Sequence, residues 1–250
     1  MDSFKGRRVL ITGGAKGIGH ACAQTFADLA AEVHVLDIAA PEEAVEDVHY
    51  HDGDLRSQSS VEAVLQQVQE ISGGLDLLVN NAGVSFVGGV ETGTDEEWHW
   101  LWDINVLGFV RATRAALPLL RQASAPAIVN MSSCTATSGL RQRVLYSATK
   151  GAVESMTRAM AADLVAEGIT VNAVNPGTVD TPFMSELAAR AEDPALCRRQ
   201  FEERQPTGRM VAPREVAQAV AFLAHPTMRS TVGSTIIVDG GMAGLHITEA

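Results

Sequence analysis

Tyr146 and Lys150 stand four residues apart, so on a helix they share one face. Tyrosine is a weak base with an ordinary pKa of about 10, but a nearby ammonium favours its phenolate. Such a pair can take a proton from an alcohol, or return one to a carbonyl, near neutral pH. The chain has only one other tyrosine, Tyr50. Ser132-Ser133 closes the apolar run Ala127–Met131, and its spacing to Tyr146 singles out Ser133 of the two. Asn105 lies inside a long predicted helix. Buried there, its amide needs a water or a backbone partner.

A second constellation surrounds a glycine-rich string, Thr12-Gly13-Gly14-Ala15-Lys16-Gly17-Ile18-Gly19, with the spacing GxxxGxG. It follows a first strand and opens a helix. Glycines allow the tight turn and bring backbone N–H groups toward a pyrophosphate at the helix N-terminus. In a βαβ unit this reads as a dinucleotide site. Asp37 ends the second strand, where a carboxylate accepts from both ribose hydroxyls and repels a 2′-phosphate. That favours NAD over NADP. Lys16 pulls the other way, since a cation there could pair with a 2′-phosphate. Asp54-Leu55, after the third strand, can read an adenine amino group, with a capping aspartate as the alternative. In Asn80-Asn81-Ala82-Gly83, after the fourth strand, the asparagines can tie the turn to neighbouring strands while Ala82-Gly83 passes close to a ribose.

These residues need a scaffold, and the hydrophobic pattern supplies one. Short β-branched runs predict strands at Arg7–Thr12, Glu32–Asp37, Val48–Tyr50, Leu75–Val79, Ala127–Met131, Thr170–Val174 and Thr235–Val238. Amphipathic stretches predict helices at Gly17–Leu29, Gln58–Ile71, Asp95–Arg121, Tyr146–Ala166 and Pro213–Ala224. The alternation implies an α/β fold: a doubly wound, seven-stranded parallel sheet with helices on both faces. The polar, Arg/Glu-rich stretch Thr181–Thr207 breaks the rhythm and reads as a helical insertion over the site, bounded at residues 181–212. Residues 1–250 otherwise form one domain.

Composition narrows the function classes. With 250 residues, 46% hydrophobic and 20% charged, the chain can bury a large core and is not a disordered segment. A net charge of −11 repels phosphates, which argues against nucleic-acid partners. Cys22, Cys134 and Cys197 form no CxxC pair, pointing to a reducing compartment rather than a disulfide or zinc scaffold. No apolar run predicts a membrane span, and the N-terminal stretch lacks a signal-peptide core. A cytoplasmic protein is expected. The histidines (His20, His34, His49, His51, His99, His225, His246) show no metal-ligand spacing; His49-x-His51 reads as structural, and no metal is expected.

The ordered set TGGAKGIG, Asp37, NNAG, Asn105, Ser133, Tyr146-x-x-x-Lys150, Asn175-Pro176-Gly177 and Val238-Asp239-Gly240-Gly241 resembles the short-chain dehydrogenase/reductase family over nearly the whole chain. The resemblance implies a Rossmann-type domain and an NAD(P)-linked oxidoreductase. By that resemblance Tyr146 is the acid/base, and Lys150 holds the nicotinamide ribose and lowers the tyrosine pKa. Ser133 orients the substrate oxygen, and Asn105 anchors a water that relays protons to solvent. Gly13, Gly17, Ile18 and Gly19 would cradle the pyrophosphate. Pro176, Gly177 and Thr181 would meet the nicotinamide end, with Val179 offering backbone to its carboxamide. A homotetramer is implied too, with the helices bearing Trp98, Trp102 and Tyr146 between subunits.

The substrate is read from arginines. Only Lys5, Lys16 and Lys150 are lysines, and the other 16 basic residues are arginines, suited to carboxylate recognition. Arg143 lies three residues before Tyr146. Six arginines against five acids make Ser185–Arg214 locally basic. Arg143-Val-Leu-Tyr146, Pro176–Pro182 and Arg204-Gln-Pro-Thr-Gly-Arg209 resemble the family branch containing 2-keto-3-deoxy-L-fuconate dehydrogenase and the cytosolic short-chain 3-hydroxybutyrate dehydrogenase. That resemblance implies a small anionic substrate, a hydroxy or sugar acid, held by Arg143 with Arg190, Arg204 and Gln205. Two rivals are an NADPH-dependent 3-oxoacyl-carrier-protein reductase, favoured by Lys16, and a non-catalytic nucleotide-binding regulator.

Overall fold

The computed structural model describes residues 4–245, so His246 and the rest of 246–250 lie outside it. Seven strands form one all-parallel sheet: β1 (Arg8–Thr12), β2 (Glu32–Asp37), β3 (Val48–Asp52), β4 (Leu77–Asn80), β5 (Ala127–Met131), β6 (Thr170–Pro176) and β7 (Thr235–Val238). Their spatial order is β3-β2-β1-β4-β5-β6-β7, so the order reverses between β1 and β4. Ligands of such sheets bind beyond the strand carboxyl ends at that reversal. The register keeps those ends together: Ile11 pairs with Val79, and Asn80 with Asn130.

Side-chain alternation splits the core in two. Val9, Ile11, Val33, Val35, Val79 and Val129 face α1 (Gly17–Asp28) and α8 (Pro213–Ala224). Leu10, Leu36, Leu78, Ile128 and Val171 face α2 (Gln58–Ser72), α4 (Gly108–Leu120) and α5 (Val144–Leu164). A strand buried on both faces needs apolar residues at odd and even positions alike, and β1, β4 and β5 have them. No helix among the described residues is long and apolar enough to cross a membrane.

The insertion is helical as expected, while the Asp95–Arg121 helix and the bounds of several strands differ from the sequence expectation. The single helix predicted over Asp95–Arg121 is α3 (Asp95–Trp102) and α4, joined by a π-helical turn at Asp103–Leu107. Asn105 sits in that turn, which propensity patterns do not register. The expected insertion contains α6 (Pro182–Ala189) and α7 (Pro194–Glu203), each begun by a proline at the first turn, where a missing N–H costs nothing. Strand β6 runs on to Pro176, its proline N lying at the end of the ladder.

Candidate active site

The loops after β1 and β4 interlock. The Thr12 hydroxyl accepts the N–H groups of Asn81 and Ala82, both at 3.1 Å. The Asn81 amide donates back to the carbonyls of Thr12 (3.0 Å) and Gly13 (2.8 Å). Gly13 has φ +69°, and a Cβ there would come 2.6 Å from Ala82 Cα. The two backbones therefore touch, and only glycine fits. Gly17 (φ +62°) starts α1, whose first turn has no side-chain cap, leaving its N–H groups unpartnered beside Ile18. A Cβ on Gly19 would clash with Gly13 O, so this glycine lets helix and loop pack. Across the gap, the Thr181 methyl faces Gly17, and the Thr181 hydroxyl makes no capping bond to α6.

Asp37 receives the N–H of Ala15 at 3.0 Å and of Ala39 at 3.1 Å, which fixes its carboxylate against the glycine loop. Lys16 is exposed, and among the described residues no acid lies within ion-pair distance. Asp54 is engaged otherwise than the adenine reading requires: Arg56 binds it through its main-chain N–H and guanidinium, the closest contact being 2.7 Å. The adjacent Leu55 is buried, its carbonyl taking a hydrogen bond from Arg111. At the far end, Gly177 lies against Asp239, and Pro176 ends β6. Val179 bridges Val211 through the main-chain groups of its two neighbours, leaving its own N–H and C=O outside that ladder.

Lys150 is 3% exposed and donates to Met131 O at 2.8 Å, with its ammonium 5.7 Å from the Tyr146 ring centre. Burial pushes the lysine down to about 8. Burial pushes the Tyr146 phenol up to about 12, with the Ser133 hydroxyl pulling partly the other way. In the protein alone, desolvation outweighs the lowering expected from Lys150, so the phenol holds its proton at neutral pH.

The two serines differ in their bonding. Ser132 donates to Lys150 O at 2.9 Å and is a strut. Ser133, two residues past β5, is buried, and its hydroxyl acts on the Tyr146 phenol. Asn105 is fully buried. Its Oδ1 accepts from Val84 N at 2.9 Å, and its Nδ2 donates to Val84 O (2.9 Å) and Thr149 Oγ1 (3.1 Å). Both donors are thus occupied, and one lone pair on Oδ1 remains. Gly83 passes between this oxygen and Lys150, a Cβ there lying 3.2 Å from Oδ1 and 3.6 Å from Nζ.

The arginines separate cleanly. Arg198 pairs with Asp180 and Glu202, Arg209 with Glu215, and Arg214 with Asp28. Arg143 and Arg204 have no such partner among the described residues. Their guanidiniums are near enough that Arg204 depresses the Arg143 pKa, after the larger effect of burial, while Tyr146 acts on Arg143 in the opposite sense. Arg204 itself lies over the Phe201 ring at 4.8 Å. Two expected substrate ligands are not brought in. Arg190 is exposed at the end of α6. Gln205 is 1% exposed, its amide filled by Thr178 N, Phe201 O and Arg209 O, so it braces the insertion instead. Sequence reasoning assigned no role to Thr12, Thr149 and Thr135: the Thr12 hydroxyl holds the loop after β4, and those of Thr149 and Thr135 bond Asn105 and Ser133; a threonine at a strand end or beside Lys150 carries no spacing signal of its own.

A family model described as Enoyl-(Acyl carrier protein) reductase matches residues 13–243. The chain is a short-chain dehydrogenase/reductase. It is 35% identical to the L-fucose dehydrogenase of Mus musculus over 96% of this chain and 90% of that one. It is also 35% identical to the cis-4-hydroxycyclohexanecarboxylate dehydrogenase of Sinomonas cyclohexanicum, over 96% and 98%. The ligand-free aldohexose dehydrogenase of Thermoplasma acidophilum superposes with a TM-score of 0.92 at 31% identity, covering 99% of each chain. As a member of this family the chain is an NAD(P)-dependent oxidoreductase acting on CH–OH groups, and the non-catalytic reading falls.

Proposed function

We propose that this enzyme moves a hydride between NAD and the secondary alcohol or ketone of a small hydroxy or sugar acid. The observation that carries the substrate class is the pair Arg143 and Arg204. Both guanidiniums are partly desolvated, Arg143 feels the charges of Arg204 and Tyr146, and neither has an acid partner among the described residues. Burying unpaired cations is costly, and a substrate carboxylate would offset that cost with charge-assisted bonds.

The loops fit a dinucleotide. The contact of Gly13 with Ala82 and the uncapped first turn of α1 leave a bare backbone bed of the kind a pyrophosphate needs. Gly13, Gly17, Ile18 and Gly19 would line it, with Asp37 at the adenosine ribose. Asn81, Ala82, Gly83, Pro176, Gly177, Val179 and Thr181 would line the nicotinamide half. Asp54 and Leu55 border the adenine region, where Arg56 is the side chain in front. Bound NAD supplies the hydride carrier. The fixed carboxylate of Asp37 opposes a 2′-phosphate more directly than the exposed Lys16 favours one, which supports NAD over NADP.

Within the protein, Ser133 donates to the reacting oxygen and stabilises charge there. Tyr146 Oη gives or takes the proton. Lys150, still largely an ammonium at pH 7 with a pKa of about 8, supplies positive charge beneath the ring. A water at the remaining lone pair of Asn105 Oδ1, beside Gly83 and Lys150, would pass protons to solvent. We further propose a cytoplasmic homotetramer. Exposed Trp100, Trp102 and Leu107 around the π turn support a subunit face, and three free cysteines support a reducing compartment.

The test is a screen of NAD and NADP reduction over hydroxybutyrates, sugar acids, free sugars and uncharged alcohols. We expect NAD-linked turnover of acids. Activity confined to uncharged alcohols would overturn the acid assignment, and a preference for NADP would overturn the role of Asp37.

A further inference from the structure

Ser133 leaves β5 in extended backbone (φ −166°, ψ 154°) and caps the single turn Cys134–Ala136. Its Oγ accepts the main-chain N–H of Thr135 at 3.2 Å and the Thr135 hydroxyl at 3.1 Å. A serine oxygen has two lone pairs and one proton. One residue therefore fills both lone pairs, and only the proton is left to give. Thr135 is itself buried, and among the described residues its hydroxyl donates to nothing else.

We propose that Thr135 is a positioning residue that forces Ser133 to act as a hydrogen-bond donor toward the reacting oxygen. This rests on the reading that Ser133 meets that oxygen. An unrestrained serine hydroxyl rotates among three staggered wells. Beside Tyr146 it could accept the phenol proton, and the phenol would then donate to Ser133 and not to substrate. Filling both lone pairs removes that state. Ser133 can then donate to the substrate oxygen or to the phenol oxygen, and donation to the phenol favours its ionised form. The pull of Ser133 on the Tyr146 proton, opposite to that of burial, has this sense. Thr135 needs no contact with substrate to do this, and nothing in the Tyr–Lys spacing requires it.

Thr135→Val keeps the main-chain bond and the side-chain shape but removes the hydroxyl. Thr135→Ser keeps the hydroxyl. Each is made alone and in a Ser133→Ala background, and NAD reduction is followed with 3-hydroxybutyrate, cis-4-hydroxycyclohexanecarboxylate and L-fucose as probes. Ser133→Ala should lower kcat by about 10²–10³-fold, as loss of an oxyanion donor does. Thr135→Val should lower it about tenfold with the KM for NAD unchanged, and Thr135→Ser should recover most of that. In the Ser133→Ala background Thr135→Val should add less than about twofold, because residues acting as a unit are not additive. Full activity of Thr135→Val, or an undiminished loss in the Ser133→Ala background, overturns the proposal. An inert Ser133→Ala overturns the reading of Ser133 instead. Neutron diffraction of the protein reads the same point without substrate. Deuterium on Thr135 Oγ1 directed at Ser133 supports the proposal, and the Ser133 deuterium lying on that line refutes it.

Discussion

Replacing Arg143 with alanine should separate the proposed recognition of an acid from the rest of the proposed chemistry. The guanidinium makes one internal hydrogen bond, to Gln142 O at 3.2 Å, and it faces a second guanidinium, Arg204. Its removal therefore deletes little that holds the fold and relieves a repulsion. The melting temperature should stay constant or rise; at roughly 2–4 °C per kcal/mol for a chain of this size, a real loss of structure would be visible. Against an acid substrate the loss is that of a charge-assisted bond in a partly desolvated site, about 1.5–3 kcal/mol. That corresponds to about 10–150-fold in kcat/KM, expressed mainly in KM. Arg143→Lys should recover part of it, since the charge remains but the planar fork does not. Steady-state kinetics with an acid and with an uncharged alcohol of similar size form the assay, beside a thermal melt. An unchanged KM for the acid refutes the argument, and so does an equal loss against the uncharged alcohol or a fall in melting temperature.

Tyr146→Phe should cut turnover by about 10²–10⁴-fold while NAD still binds, read by calorimetry. With the phenol pushed up to about 12, the absorbance difference between the wild type and this variant, without NAD, should show almost no phenolate at pH ~10, where an ordinary tyrosine is half ionised. His34 predicts an acid-sensitive fold. Its ring is fully buried between His51 (2.9 Å) and Ser72 (2.7 Å), and burial followed by the neighbouring histidines lowers its pKa from 6.5 to about 4. Below pH 6.5 the unfolded chain binds the proton that the folded one refuses. The contribution is therefore complete above 6.5 and is lost as pH falls toward 4, on the order of 3 kcal/mol. Urea unfolding at pH ~4.5 and ~7.5 measures it, and equal stabilities would refute the assignment.

The scaffold was legible because a parallel sheet leaves a strong trace. Strands β1, β4 and β5 are buried on both faces, and a strand buried on both faces must be apolar throughout. The Gly13 and Gly19 positions were legible because no other residue fits where two backbones meet. What escaped the sequence depends on side-chain bonding between distant segments. Asn105 could be flagged as needing a partner, but not that Val84 and Thr149 would take both its amide hydrogens inside a π turn. Arg204 and Gln205 are adjacent in sequence, and no pattern tells them apart. The structure does, since α7 ends there and turns one toward Arg143 and the other into the brace beneath the insertion.

Part of the irregular backbone lies at the candidate site. A π-helical turn holds Asn105, Gly13 and Gly17 have positive φ, and Gln142, a residue that disfavours that region, has φ 56° just before Arg143. Positive φ at a side chain with a Cβ costs about 1–2 kcal/mol and persists only where neighbours over-determine it. At Gln142 the neighbours are visible: its carbonyl accepts from Gly88 N, and Gly88 and Arg143 form a bridge. The loop is thereby held to Gly88, and the next side chain, Arg143, feels the charge of Arg204. Under the proposed function, the cost at Gln142 would serve the same end as the unpaired guanidiniums: a positive recess beside Tyr146 for a substrate acid.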